Sequence, residues 1–599
     1  MSSPAIEDIQ TPPHLRSASA VLRLGLAESP ELKRGLVWTV VISLGVTVAS
    51  LLTPLLVQLV FDHGFEGGFR PRFVYTICAA ALGLVVLTFV AARAAARRLV
   101  TASEGALMNL RVRTFAHIHR LSIAAQSEEK RGVFVARVTA DVDALQQFME
   151  WVGIAWIISG AQVAGALALM LLFSWQLALI ITILVVPLLL IVGSMQSMLT
   201  TAFDTARTRV GEMLSEVSET VMGAAVVRAY GLEEHTDRKV KRAIDERYRA
   251  EVVAHLREAT LWPMSSVFYA IALSTVIIVG ALFGRGWGLT FGKVTAFLFL
   301  ADIYLHVFTD LPEIYSETQT AIAGWRKILT VLDLPVEIVE PSPGIPLGRG
   351  ALSVRADGVV FAYRTGATVL HGISVEVPAG GHVAIVGETG CGKTTFAKLL
   401  TRLADPQSGR IEIGGVDLRE AAPGSRRLAI RMVPQDGFLF GTTVRENVRA
   451  GREGATDRDI DAAFEELGLG DWVATLPDGL ETAVGERGEQ LSVGERQLVA
   501  LVRAQIADPG LLILDEATSA VDPATERRIT EALRRLSHGR TVVTIAHRLS
   551  TAEHADRVFV FDGGRLVEEG THAELVSRGG EYARLHASWL GNVREVEPR

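Results

Sequence analysis

The stretch 382-HVAIVGETGCGKTTFAKLLTRL-403 decides how this chain is read. It opens with an apolar run of strand character, closes with a helix-like one, and between them carries a complete G-x-x-x-x-G-K-T. Gly387, Gly390 and Gly392 let the backbone wrap a row of phosphates, Lys393 reaches the terminal ones, and the Thr394 hydroxyl can hold Mg2+. Glu388, Thr389, Cys391 and Thr395 complete the candidate nucleotide-binding loop. Cys391 is either a small filler or a thiol close enough to the phosphates for alkylation to block binding.

Further along, 511-LLILDEATS-519 runs an apolar segment into Asp515 and Glu516. A buried strand ending in two carboxylates offers one to the shell of a Mg2+ ion and the next to orient or deprotonate an attacking water. Alone such a pair is commonplace; after a phosphate loop it reads as a hydrolytic site. Beyond residue 350, apolar strand-like runs alternate with helical stretches, which predicts an α/β domain with a largely parallel sheet over 351–599.

The N-terminal half is of another kind. Of 599 residues, 49% are hydrophobic, too many for a wholly soluble chain. Residues 35–61, 73–92, 151–203 and 259–284 carry no formal charge, and a helix needs only about 20 apolar residues to cross a bilayer. The run 151–203 is long enough for two spans, with 173-FSWQ-176 as the turn between them. A sixth span, over 294–311, is interrupted by Asp302, His306 and Asp310. The expected organisation is a cytoplasmic segment over 1–30, a six-helix membrane domain over 31–335, a linker over 336–350 containing 341-PSPGIPLGRG-350, and the α/β domain.

Arg and Lys crowd the loops after the second and fourth spans and are sparse in the opposite ones. By the positive-inside rule the long loops, the N-terminus and the α/β domain are cytoplasmic, in a multi-pass protein of the inner (cytoplasmic) membrane. The opening residues are acidic, without the apolar core of a signal peptide. The long loops have helical patterning, so the spans are expected to continue as a stalk; two helices of ~25 residues would project ~38 Å. Their tips, 125-AQSEEKRGVFVARV-138 and 227-VRAYGLEEHTDRKV-240, read equally as short surface helices or as solvated bends. Cys78 and Cys391 give no disulfide framework, and a net charge of -7 argues neither for nor against nucleic acid.

With both motifs and six spans in place, the chain resembles an ATP-binding cassette exporter half-transporter of the six-span type IV kind, similar to multidrug and lipid exporters. The resemblance implies ATP and Mg2+ as ligands. It implies membrane lipid, an unknown cargo and a second half-transporter as partners, with no nucleic acid. It places Tyr363 where an aromatic ring stacks on adenine, Gln435 in the loop linking Mg2+ and water to the membrane domain, and His547 as the switch histidine at the γ-phosphate. Asp515 and Gln435 join Thr394 as metal ligands, Glu516 is the catalytic base, and Asp522 lies in the loop crossing between subunits. It also promotes both loop tips to coupling helices and likens 483-AVGERG-488 to an exporter stretch beside them.

In such a dimer the segment 490-QLSVGERQL-498 caps the ATP held by the partner, through Ser492 and the amide of Gly494. Val493 stands where the pattern has glycine, and Glu495 where glutamine is usual. If the backbone at 493 needs positive φ the valine is strained; otherwise it is harmless. Glu495 suits a helix start, yet adds a negative group near ATP. A homodimer is favoured because Ser492 and Gly494 remain; a heterodimer stays open.

The function expected is ATP-driven transport by alternating access, most simply export of an amphipathic drug-like or lipid-like molecule. Swinging such an equilibrium from about 1:99 to 99:1 takes ~5.5 kcal/mol of differential binding. Import of, for example, an iron chelate, or an ATP-gated channel, are the alternatives; a soluble DNA-repair ATPase conflicts with the spans. Asp302 and His306 stand four apart on one helix face, as contacts to a cationic or polar cargo or as a structural pair buried between helices.

Overall fold

A computed structural model describes residues 12–594 except 16, 34, 66–67, 123–130, 364–365, 436, 516–521 and 547–548. Contacts divide the chain into two units, 1–117 with 132–333 and 118–131 with 334–599.

The first unit is helical: α1 (Ala18–Ala27), α2 (Leu36–Leu59), α3 (Pro71–Arg120), α4 (Arg131–Val138), α5 (Gly153–Phe173), α6 (Trp175–Met222), α7 (Ala224–Tyr230), α8 (Glu233–Phe283) and α9 (Phe291–Leu332). Six helices among the described residues are long and apolar enough to cross a membrane. Ser174 makes the expected break between the third and fourth, its hydroxyl accepting from the Leu177 amide to start α6. The 50 residues of α3 would span about 75 Å, far more than a bilayer core of ~30 Å, so span and stalk are one continuous helix. Cross-helix pairs such as Lys239 with Glu216 at 2.7 Å and Arg209 with Glu246 at 3.0 Å tie the stalk parts of α6 and α8. Of the two expected tips, residues 125–130 lie outside the described residues and 131–138 form α4. The second tip comprises the end of α7, a turn at Gly231 with φ +62°, and the start of α8.

The sixth span is set by a contact that composition does not reveal. Asp62 accepts from the Thr290 hydroxyl at 2.8 Å and from the Gly292 amide at 3.1 Å, capping the start of α9. A Cβ at 292 would collide with that carboxylate, which is why glycine stands there.

The second unit carries two sheets. A four-stranded sheet, in order β2-β1-β4-β5, is antiparallel, with β1 (Val354–Ala362), β2 (Thr368–Val377), β4 (Ser408–Ile413) and β5 (Val416–Asp417). A six-stranded sheet runs β10-β9-β3-β8-β7-β6, built from β3 (His382–Val386), β6 (Ile430–Val433), β7 (Leu511–Asp515), β8 (Thr541–Ile545), β9 (Arg557–Asp562) and β10 (Arg565–Gly570). Around them lie α10 (Lys393–Leu400), α11 (Val493–Ala507), α12 (Pro523–Ser537), α13 (Leu549–Glu553), α14 (His572–Arg578) and α15 (Glu581–Arg594). The apolar run in β7 is explained by burial on both faces: Leu511 and Ile513 enter one core, Leu512 and Leu514 another.

The linker sequence is held by this second unit. Ile345 exchanges backbone hydrogen bonds with Glu420 and Ala422, both 2.7 Å. Glu340 receives two bonds from Arg426, at 2.6 and 2.9 Å, and one from Arg402 at 3.3 Å. The two arginine side chains are almost fully buried. The Arg426 hydrogen bond, opposed by partial burial, holds the Glu340 carboxyl below the usual carboxylate range. Glu340→Ala is expected to destabilise the unit by about 2 kcal/mol, because buried guanidinium groups lose their acceptor. Since the folded pKa is the depressed one, this contribution is present above the ordinary glutamate pKa and fades as pH falls below it. Melting curves of wild type and variant should therefore converge toward acid pH; a difference that persists there would count against the ion pair.

Candidate functional site

The neighbouring strands β3, β8, β7 and β6 pair in parallel, so their carboxyl ends lie along one edge of the sheet. The phosphate loop leaves β3 at Gly387, Asp515 ends β7, and Gln435, exposed, follows β6 by two residues. Ligands of open parallel sheets bind beyond this edge. Glu516 and His547 fall outside the described residues; the structure fixes the strands β7 and β8 from which they continue.

Within the loop Gly387, Gly390 and Gly392 adopt φ of +151°, +89° and +101°, which side chains rarely tolerate. At Gly387 a Cβ would also collide with the Phe561 carbonyl oxygen. Glu388, Thr389, Gly390 and Thr394 are exposed, whereas Cys391, Gly392 and Lys393 are buried. The Lys393 ammonium, in a residue only 5% exposed, donates to the carbonyls of Gly387 and Glu388 at 2.8 Å each and lies 3.7 Å from Cys391 Sγ. It has no carboxylate partner among the described residues. A buried cation with only neutral acceptors is electrostatically incomplete, and an anion wrapped by the loop completes it. A polyphosphate therefore fits. Thr394, Gln435 and Asp515 bring a hydroxyl, an amide carbonyl and a carboxylate, the hard oxygen donors that suit Mg2+.

Tyr363, just past β1, lies against α10: its hydroxyl is 3.1 Å from Thr395 Oγ1, and Lys398 Nζ stands 5.9 Å from the ring centroid. Asp522 caps α12, accepting from Ala524 and Thr525 amides at 3.0 and 2.9 Å; these bonds, Thr525 foremost, lower its carboxyl pKa.

The segment around Val493 is resolved in detail. Ser492 caps α11, its hydroxyl accepting from the Glu495 amide at 3.3 Å while Glu495 Oε2 accepts from the Ser492 amide at 2.8 Å. Trp472 Nε1 donates to Glu495 Oε1 at 3.3 Å. Glu495 Oε2 is thus held in a capping box and Oε1 by Trp472, so the carboxylate supports the helix start. Burial works to raise its pKa, but the bonds from Ser492 and Trp472 outweigh it and the carboxyl lies low. Val493 is the first residue of α11 and is not among the positive-φ residues. Valine is therefore unstrained, and Val493→Gly is expected to leave ATPase activity near wild type. Glu495→Ala should cost about 1 kcal/mol of helix stability. Thermal melts and steady-state rates of both variants check this; a several-fold gain of activity in Val493→Gly would overturn it.

On α9, Asp302 and His306 are both exposed in the protomer and lie on one face.

Two family descriptions cover most of the chain: ABC transporter transmembrane region, matching residues 36–306, and ABC transporter, matching 370–519. The chain belongs to the ABC transporter family. A fatty acid ABC transporter ATP-binding/permease protein of Mycobacterium tuberculosis (strain CDC 1551 / Oshkosh) is 35% identical over 508 residues, 85% of this chain and 80% of that one. An ATP-dependent lipid A-core flippase of Desulfotalea psychrophila is 33% identical over 487 residues, 81% and 84% of the two chains. Among solved structures, a bacterial Atm1-family ABC exporter with ATP bound is similar with a TM-score of 0.76 and 27% identity, over 95% of this chain and 99% of that one. This ABC transporter is accordingly a transport ATPase and a multi-pass membrane protein with a cytoplasmic nucleotide-binding domain. One membrane domain with one nucleotide-binding domain makes a half-transporter, which assembles with a second.

Reading the sequence alone misses two supports of the site. Trp472 orients Glu495 from a separate helical segment, and Arg584 of α15 reaches Glu388 of the phosphate loop at 3.4 Å. Neither has a local sequence signal; both depend on tertiary packing.

Proposed function

We propose that this half-transporter exports an amphipathic drug-like or lipid-like molecule, as a homodimer, by ATP-driven alternating access. The observation that carries the reading is the phosphate loop, whose buried Lys393 ammonium has only neutral acceptors among the described residues, in one chain with six apolar spans. Lys393, the loop amides and the N-terminus of α10 bind and orient the triphosphate, and Tyr363 flanks the base. Glu516 takes the proton of the attacking water, with Gln435 and His547 holding water and γ-phosphate in line. Mg2+ held by Thr394, Gln435 and Asp515 would neutralise charge on the transferred phosphoryl group. Ser492 and the Gly494 amide of the opposing copy close the site; an unstrained Val493 supports a homodimer.

Export of a lipid-like cargo is supported by what the relatives are named for, fatty acid and lipid A-core, and by the exporter named in the structural neighbour. Asp302 and His306, exposed on α9, would meet a cationic or polar group on the cargo. The test is ATP-dependent accumulation of a fluorescent cationic amphiphile and of a fluorescent fatty acid in inside-out vesicles containing this chain alone. Uptake of either supports export. Asp302→Asn is expected to weaken the cationic probe's transport selectively, and equal transport of both probes by that variant would remove Asp302 from the cargo site. ATP-driven loss from preloaded inside-out vesicles would show import.

A further inference from the structure

We propose that Glu553, His572 and His586 form a divalent-metal site of the Zn2+ class on the nucleotide-binding unit, and that metal held there slows the ATPase. Each of the three offers a ligand atom, all within 4.8 Å of one another. They come from three separate helices, α13, α14 and α15. His586 Nε2 lies 4.0 Å from Glu553 Oε1, and the two imidazole centroids are 5.2 Å apart. A tetrahedral Zn2+ with bonds of about 2.0–2.1 Å sets its ligand atoms roughly 3.3 Å apart, so each side chain needs to move less than about 1 Å. Two imidazoles and one carboxylate favour Zn2+ or a neighbouring transition metal over Mg2+ or Ca2+, and leave one position for water.

The surroundings are those of a ligand set. His572 Nδ1 lies 2.7 Å from the Tyr582 hydroxyl, which leaves Nε2 for a metal; a metal-bound histidine typically gives its other N–H to such an oxygen. Tyr582 is fully buried, which fixes the position of its hydroxyl beside His572. Tyr582 and His586, four apart on α15, share a face. The helix starts are fixed as well: Thr571 and Glu574 form a capping box on α14, and Glu568 accepts from the amides of Glu581 and Tyr582 at 2.7 and 3.1 Å. The His586–Glu553 approach of 4.0 Å is too long for a direct hydrogen bond and leaves room for an ion between the two side chains.

The position gives the metal a consequence. α13 begins two residues after His547, and α15 carries Arg584, which reaches Glu388 of the phosphate loop at 3.4 Å. A metal joining α13 to α15 restrains both segments at once. The test uses the full chain in lipid nanodiscs with its affinity tag removed, titrated with ZnCl2 by calorimetry while ATPase is followed in excess Mg2+. One Zn2+ per chain is expected. Affinity should fall at least about ten-fold in His586→Gln and Glu553→Gln, and about ten-fold in Tyr582→Phe, which keeps the ring but removes the oxygen. Glu553→His, which retains a ligand, should bind. Zn2+ should lower the wild-type ATPase at least about two-fold while sparing His586→Gln, whose metal-free rate serves as the check on folding. Absence of stoichiometric binding to the wild type, or binding unaltered in His586→Gln and Tyr582→Phe, overturns the site. Binding that leaves the wild-type rate unchanged overturns the regulatory role.

Discussion

Glu516→Gln is expected to lower steady-state ATPase by about 10²–10⁴-fold while ATP affinity stays near wild type. The strand β7 is buried on both faces and ends at Asp515, itself only 6% exposed. With Asp515 serving the metal, Glu516 is left to accept the proton of the attacking water. Glutamine keeps the size and the hydrogen-bonding reach of glutamate but cannot accept the proton, so binding survives and hydrolysis does not. The comparison is a steady-state phosphate-release assay beside equilibrium nucleotide binding on the same nanodisc sample. Residual activity within a few-fold of wild type would place the base elsewhere. Asp515→Asn is a useful contrast, because its effect should be relieved in part by raised Mg2+ and that of Glu516→Gln should not.

How far the sequence reveals this protein depends on whether a feature is local. The phosphate loop is local: the G-x-x-x-x-G-K-T spacing demands glycines at 387 and 392, and both, with Gly390 between them, adopt positive φ. The spans are nearly as legible, since 20 uncharged residues have few other uses, and the turn at Ser174 falls where the tetrapeptide around it indicates. The sixth span was the hard case. Asp302, His306 and Asp310 interrupt its hydropathy, and they stand exposed on the protomer while Tyr304, Leu305 and Val307 are buried. Amphipathicity, which lowered the hydropathy signal, is what a helix facing a polar space needs. Non-local features gave no warning. Asp62 capping α9, Glu340 gripping two buried arginines, and Trp472 fixing Glu495 each join residues far apart in the chain. Val493 is instructive in the other direction. It breaks the expected pattern by residue type, yet the first turn of a helix asks only for negative φ, and valine supplies that readily.

Lys393→Met should weaken ATP binding about 10–100-fold and reduce hydrolysis further, by about 10²–10³-fold in all. Methionine matches the lysine stem in length and suits a site only 5% exposed, so the loop should keep its packing. What it loses is the ammonium that joins the carbonyls of Gly387 and Glu388, each 2.8 Å away. Two effects separate from here. Without nucleotide, two carbonyls lose a charged donor, a cost of about 1–3 kcal/mol that shows as a lower melting temperature of the nucleotide-binding unit. With nucleotide, the triphosphate loses its buried counter-charge, and the deficit grows as charge shifts during phosphoryl transfer, which is why the rate should suffer more than the affinity. Fluorescent nucleotide titration gives the first quantity and single-turnover hydrolysis at saturating ATP the second. Equal losses in both would mean that Lys393 only anchors ground-state ATP. Unchanged affinity would mean that the anion binds elsewhere on the sheet edge, and the phosphate-loop assignment would have to be withdrawn.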